Sequence, residues 1–242
     1  MKILKVKIIF IPLILVNIIY SQVKFSAGPV IGFTIPVGDY SGETSDYYNG
    51  TMYGLSGKFH FGAMFRAKFS HLNGRLAIIY SPLSQSGISE PDKPNSFVEV
   101  KHNLLTIAIG PEYSFISSGS VRPYIGADLL ITSISGQTTF HDVAKVPTGT
   151  FSLSSATRLG LGIGTGVNIA VGKKYSVDVG ARFNLHNLLG KSYTVGDERI
   201  DAYLFLNDDA DPIFPNDLDK HPIGSSRSIS TFQLNLAFLF DF

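Results

Sequence analysis

Apolar and polar residues alternate one by one along most of this chain, in eight separate segments. The last is the clearest. From Ser230 to Phe242, Phe232, Leu234, Leu236, Phe238, Phe240 and Phe242 share one parity, while Thr231, Gln233, Asn235 and Asp241 share the other. A pleated strand sends successive side chains to opposite faces, so this segment has one greasy, aromatic face and one largely polar face. The same period of two predicts strands at about 23–37, 52–70, 74–82, 97–115, 121–135, 156–171 and 174–186. In the sixth, Leu159, Leu161, Ile163, Val167 and Ile169 alternate with Arg158, Gly160, Gly162, Gly164, Gly166 and Asn168. Apolar positions do not recur at i, i+3 and i+4, so these segments do not read as helices.

The connections alternate in length. Those after the second, fourth and sixth strands are tight, at 71–74, 116–120 and 172–173, and Asn73-Gly74 is a hairpin signal. Those after the first, third, fifth and seventh are long, at about 38–51, 83–96, 136–155 and 187–228. Short turns on one side and long loops on the other are the plan of an all-β, eight-stranded antiparallel up-and-down transmembrane β-barrel, with short periplasmic turns and long extracellular loops. An even strand count puts both termini on the periplasmic side.

Alternation alone fits a soluble barrel with its apolar face inward equally well. Three features favour the inverted arrangement. Glycine gives a strand little to pack, but in a narrow eight-stranded lumen it leaves room for long charged neighbours. The polar faces carry Lys58, Arg66, Lys68, Arg158 and Arg182 against Glu112, Asp128 and Asp178, a set able to form a paired lumen network. His60 and His102 read as further members of it, and His186 as a residue near the outer rim. Aromatic residues gather at the tight-turn ends, among them Phe25, Phe69, Tyr113, Phe115, Tyr175, Phe240 and Phe242, as in an interfacial girdle.

Composition narrows the picture further. Charged residues make up 16% of the 242, below the ~25% usual for soluble domains. The net charge of +1 gives no reason to expect nucleic acid as a partner. The chain has no cysteine, which removes disulfides, thiol catalysis and Cys-ligated metals. Lys2, Lys5 and Lys7 precede an apolar run from Ile8 to Tyr20, and this reads as a signal peptide over 1–21 followed by one barrel domain over 22–242. A retained anchor helix is the alternative, disfavoured by the short run and by Pro12.

The signal segment, the opening strand Val23-Lys-Phe-Ser-Ala-Gly-Pro-Val-Ile-Gly32, the eight-strand plan and the terminal Phe together resemble the PorT-like outer-membrane β-barrel family of Bacteroidetes. The resemblance implies residence in a Gram-negative outer membrane, contact with its lipid and insertion by the barrel-assembly machinery. The terminal strand, with Phe238, Phe240 and Phe242, resembles the insertion signal of such barrels. Some relatives are linked to protein secretion.

No catalytic motif stands out, so no enzyme and no cofactor is expected. The stretch from Gly196 to Pro222 is acidic, with Asp197, Glu198, Asp201, Asp208, Asp209, Asp211, Asp217 and Asp219 against Arg199 and Lys220. Asn207-x-Asp209-x-Asp211 spaces oxygen ligands as calcium loops begin, but the turn glycine is missing and Leu218 stands where a bidentate Glu is needed, so a solvated acidic face is the better reading. Tyr203, Leu204, Phe205, Leu206, Ile213 and Phe214 are apolar for a loop and could form a cap on the barrel mouth, a short hairpin or a partner-binding patch. The leading functional expectation is a membrane-anchored structural or adhesive scaffold with a side-chain-filled lumen, which meets an envelope or extracellular protein through loop 187–228. An accessory role in a secretion or assembly complex and narrow solute transport are the alternatives.

Overall fold

The computed structural model describes residues 23–195, 200–215, 217 and 223–242. The expected signal segment and positions 196–199, 216 and 218–222 of the acidic stretch lie outside the described residues. Eight strands close into one antiparallel ring in chain order. They are β1 (Lys24–Val37), β2 (Lys58–Phe69), β3 (Leu72–Ile88), β4 (Phe97–Ser114), β5 (Val121–His141), β6 (Gly149–Ala170), β7 (Tyr175–Leu189) and β8 (Ser230–Asp241). A short 3-10 turn (Gly38–Tyr40) and the helix α1 (Thr44–Tyr48) follow β1, and α2 (Asp201–Leu204) lies in the connection between β7 and β8.

The ring closes where β1 meets β8, with Ile31 opposite Leu236 and Val37 opposite Ser230. Gly28 makes this seam possible. A Cβ there would sit 1.8 Å from the Phe238 carbonyl oxygen, so no other residue allows the two backbones to approach.

The large apolar side chains of the barrel's middle face outward. Ile31 and Phe61 are each 58% exposed, Ile163 63% and Val179 50%. Such a continuous apolar belt is untenable in water and is what a strand presents to lipid. Phe25, Phe65, Phe240, Phe242 and Tyr175 stack in the girdle at the tight-turn end.

Three details depart from the sequence reading. The first hairpin turns at Ser70-His71, with Phe69 opposite Leu72, and Ser70 takes the left-handed φ of 66°. Asn73-Gly74 therefore lies inside β3, because the Asn73 amide is buried and donates to Ser114 Oγ at 2.9 Å. Second, the connections expected at 83–96 and 136–155 are mostly strand, which leaves only 89–96 and 142–148 as loops. The pleat continues there, but its polarity reverses. Below, Leu105, Ile107 and Ile109 point out to lipid; above, Leu83, Val98, Val100, Ile134 and Phe140 point in and are at most 1% exposed. The loop-side third is thus built as a water-soluble barrel, apolar within and polar without. Third, His186 is fully buried, its ring hydrogen-bonded to Thr132 and Thr231.

Candidate functional site: a filled lumen under an ordered cap

The lumen is stacked in layers, each set by inward positions of several strands. Nearest the tight turns, Arg66 (β2), Arg75 (β3) and Arg182 (β7) meet Glu112 (β4), Asp128 (β5) and Asp178 (β7). Arg66 donates from Nε to Glu112 at 2.6 Å and from Nη1 to Asp178 at 2.9 Å. Arg182 donates to Glu112 at 2.6 Å and also to Asp128. Arg75 reaches Asp128 at 2.9 Å, and its Nε lies 3.6 Å from Glu112. The Tyr124 hydroxyl donates to Asp178 at 2.7 Å, and the Arg66 guanidinium lies over the Tyr124 ring. Three cations and three anions balance. All six are buried, which burial tolerates only because every charge has an opposite neighbour.

An apolar layer of Val30, Met64, Ala77, Ile79, Ala237 and Leu239 lies on that network. Next comes a neutral polar layer, in which His60 bonds Thr34 and Asn235 at 2.9 and 3.0 Å.

Above it, the cap begins. Tyr40, Tyr47, Tyr53, Tyr203, Leu206, Ile223 and Ile229 pack into the flared mouth against Leu83, Val100, Leu104 and Phe140. Arg227 holds two loops together: its guanidinium stacks 3.9 Å over the Tyr53 ring and donates to the carbonyls of Leu206 and Asn207. His102 belongs to this cap and bonds the Tyr40 hydroxyl at 3.1 Å. Burial raises the phenols of Tyr40, Tyr47 and Tyr53, the last to about 12 despite the pull of Arg227, so all three stay neutral in any physiological medium.

Of the eight residues expected in one charge network, the structure brings together Arg66, Glu112, Asp128, Asp178 and Arg182. Lys68 instead pairs with Asp241 at 2.7 Å, at the tight-turn rim. Arg158 grips Asp208 of the cap through two bonds of 2.7 and 2.9 Å. Lys58, at the loop end of β2, is exposed and forms no ion pair among the described residues. Arg75 and Tyr124 were missed. Arg75 was legible, since it has the opposite parity to Leu76, Ile78 and Tyr80 in the same strand. The calcium-like triplet uses its oxygens locally: Asn207 accepts from Thr194 N–H, Asp209 from Ala210 N–H, and Asp211 from Ile213 and Phe214 N–H.

Asp208 ties the cap to the wall. Burial pushes its carboxyl up, but hydrogen bonds from Arg158, Asn187 and the Ser192 N–H outweigh that and hold it below the usual carboxylate range. A carboxyl with a lowered folded value adds stability that is complete above its unfolded value of about 3.9 and is lost as pH falls through the folded one. Acid will therefore loosen the cap below about pH 4. Protease nicking of the connection between β7 and β8, followed from pH 6 down to pH 2, should rise on that limb. Asp208→Asn should abolish the limb and raise nicking already at neutral pH. An unchanged acid limb in the variant would remove Asp208 from this role.

No curated protein matches the chain. Among solved structures, it is similar to Neisserial surface protein A, at 17% identity with a TM-score of 0.47, over 92% of this chain and 98% of that one. It is also similar to the outer membrane protein OprG from Pseudomonas aeruginosa, at 9% identity with a TM-score of 0.42, over 92% and 96%. The attachment invasion locus protein Ail of Yersinia pestis aligns at 11% identity with a TM-score of 0.40, over 92% and 99%. These likenesses bear on neither ligand nor partner. The model described as Opacity family porin protein matches residues 69–203, more than half of the chain, and this barrel of the outer membrane belongs to that family.

Proposed function

We propose that this chain is a surface-display barrel: a closed scaffold whose ordered loops bind an extracellular partner. In this reading residues 1–21 are removed on export, Phe238, Phe240 and Phe242 serve the barrel-assembly machinery during insertion, and both termini and the tight turns face the periplasm. The single observation that carries it is the cap. Its aromatic core draws on the connections after β1, β5 and β7, so those loops are held in one arrangement before any partner arrives. A preformed surface loses less conformational freedom on binding, which is how a loop surface gains affinity. Transport is disfavoured by the same lumen, since the charge network, the apolar layer and the cap fill it in succession, and an eight-stranded barrel has width only for side chains.

The test has two arms. Purified barrel in planar bilayers should give a closed trace, and cells displaying a chain without residues 197–222 should lose surface binding while retaining a heat-modifiable barrel on gels. Discrete conductance steps would overturn the scaffold reading in favour of a narrow solute channel. A second reading, an accessory part of a secretion or assembly complex, rests on the PorT-like pattern of the opening strand. It predicts co-purification with envelope proteins that survives loss of 197–222.

A further inference from the structure

At the tight-turn end, below the charge network, the barrel axis opens into a cavity of about 300 Å³. Lys24, Arg66, Lys68 and Arg122 line it, together with Asn73 and Ser114. The charges there do not cancel. Arg66 belongs to the neutral six-membered network, and Lys68 is held by Asp241. Lys24 and Arg122 have no carboxylate within ion-pair distance among the described residues; Arg122 is held only by the neutral Asn168 amide oxygen. Two net positive charges thus border one concave site with low-dielectric walls, an arrangement that concentrates field on whatever enters.

Arg66 is 2% exposed, and its Nη2 is the one nitrogen of its guanidinium without a hydrogen-bond partner. That nitrogen is closed off from solvent, with the guanidinium lying over the Tyr124 ring, so Arg66 adds positive field behind the cavity wall rather than a donor that reaches into it. Ser114 Oγ accepts from Asn73, which leaves its own proton available to donate. The wall therefore offers guanidinium, ammonium and hydroxyl donors, an acceptor-poor set suited to an oxyanion.

We propose that this vestibule binds a soluble tetrahedral oxyanion of the phosphate class. It faces the periplasm under the topology proposed above, and it stands apart from the loop surface, so either assignment can fail without the other. Lys24 and Arg122 supply the attracting charge and Ser114 a neutral donor. The inner wall of the site lies within the ring of strands, and Ser70 and Ser117 of the tight turns form its rim.

The probe is inorganic phosphate, titrated into the purified barrel in phosphate-free zwitterionic micelles at low ionic strength, with calorimetry as the readout. Lys24→Gln with Arg122→Gln should weaken binding at least ten-fold, with heat-modifiable gel mobility intact. Lys173→Gln with Lys174→Gln, in the turn at the same end but outside the cavity, should leave it within two-fold. Absence of binding, or equal loss in both double variants, would overturn the proposal and reduce the feature to a diffuse positive field. Repetition in phosphatidylglycerol discs separates the possible sources of the anion. Unchanged affinity supports a soluble ligand, and a ten-fold drop assigns the vestibule to lipid headgroups instead.

Discussion

Glu112→Gln will lower the unfolding free energy of the barrel by about 3–5 kcal/mol, the cost typical of removing one partner from a buried ion pair. Glu112 is fully buried and is the anion shared most widely, with Arg66 and Arg182 at 2.6 Å and Arg75 at 3.6 Å. The amide keeps the shape but leaves three buried guanidinium groups facing two carboxylates. Urea titration in micelles, read by tyrosine fluorescence and by gel mobility, measures the loss. Adding Arg182→Met should restore a large part of it, because the surplus cation leaves with the missing anion. A loss under 1 kcal/mol in the single variant would show that water or relaxation compensates the network.

Ile163→Arg will cost about 2–4 kcal/mol in lipid vesicles, as expected for a cation placed near the bilayer midplane on the outer face of a barrel. Ile163 is 63% exposed, so in water the same change would be close to neutral. The contrast with Gln137→Arg makes the result specific. Gln137 points outward from β5 above the polarity reversal, and its substitution should stay within about 0.5 kcal/mol. Equal effects at the two positions would mean that the apolar belt does not face oil.

The lipid-facing half of the fold was legible because its rule is local: every second residue from Leu159 to Ile169 or from Val177 to Phe183 reports the same environment. The loop-side third was not, because the rule inverts within a strand. Val98 and Val100 share a parity with Thr106 and Glu112, so a reader who follows one phase along β4 places the valines on the polar face and ends the neighbouring strands early. The charge network was half legible. Parity put five of its members inside, but it could not say that Arg158 would lie at the level of the cap or that Lys68 would turn to Asp241. Height along the axis depends on strand tilt and stagger, which alternation does not encode. The cap was visible only as unexpected apolar residues, Tyr203 to Leu206. Their partners Tyr47 and Tyr53, which meet Tyr203 and Leu206, sit about 150 positions earlier in the chain.

The inversion within β3, β4 and β5 also acts as a waterline. Sinking the barrel by one pleat repeat, about 7 Å along a strand, would draw Asn103 and Ser133 to the oil, with Lys101 and Ser135 the next to follow. Raising it by the same step would lift Leu105 and Ile131 into water. Both displacements are opposed, so the depth at which the molecule floats is fixed by its own strands, and the tyrosine-rich crown is carried at a constant height above the headgroups whatever the loops are later changed to recognise.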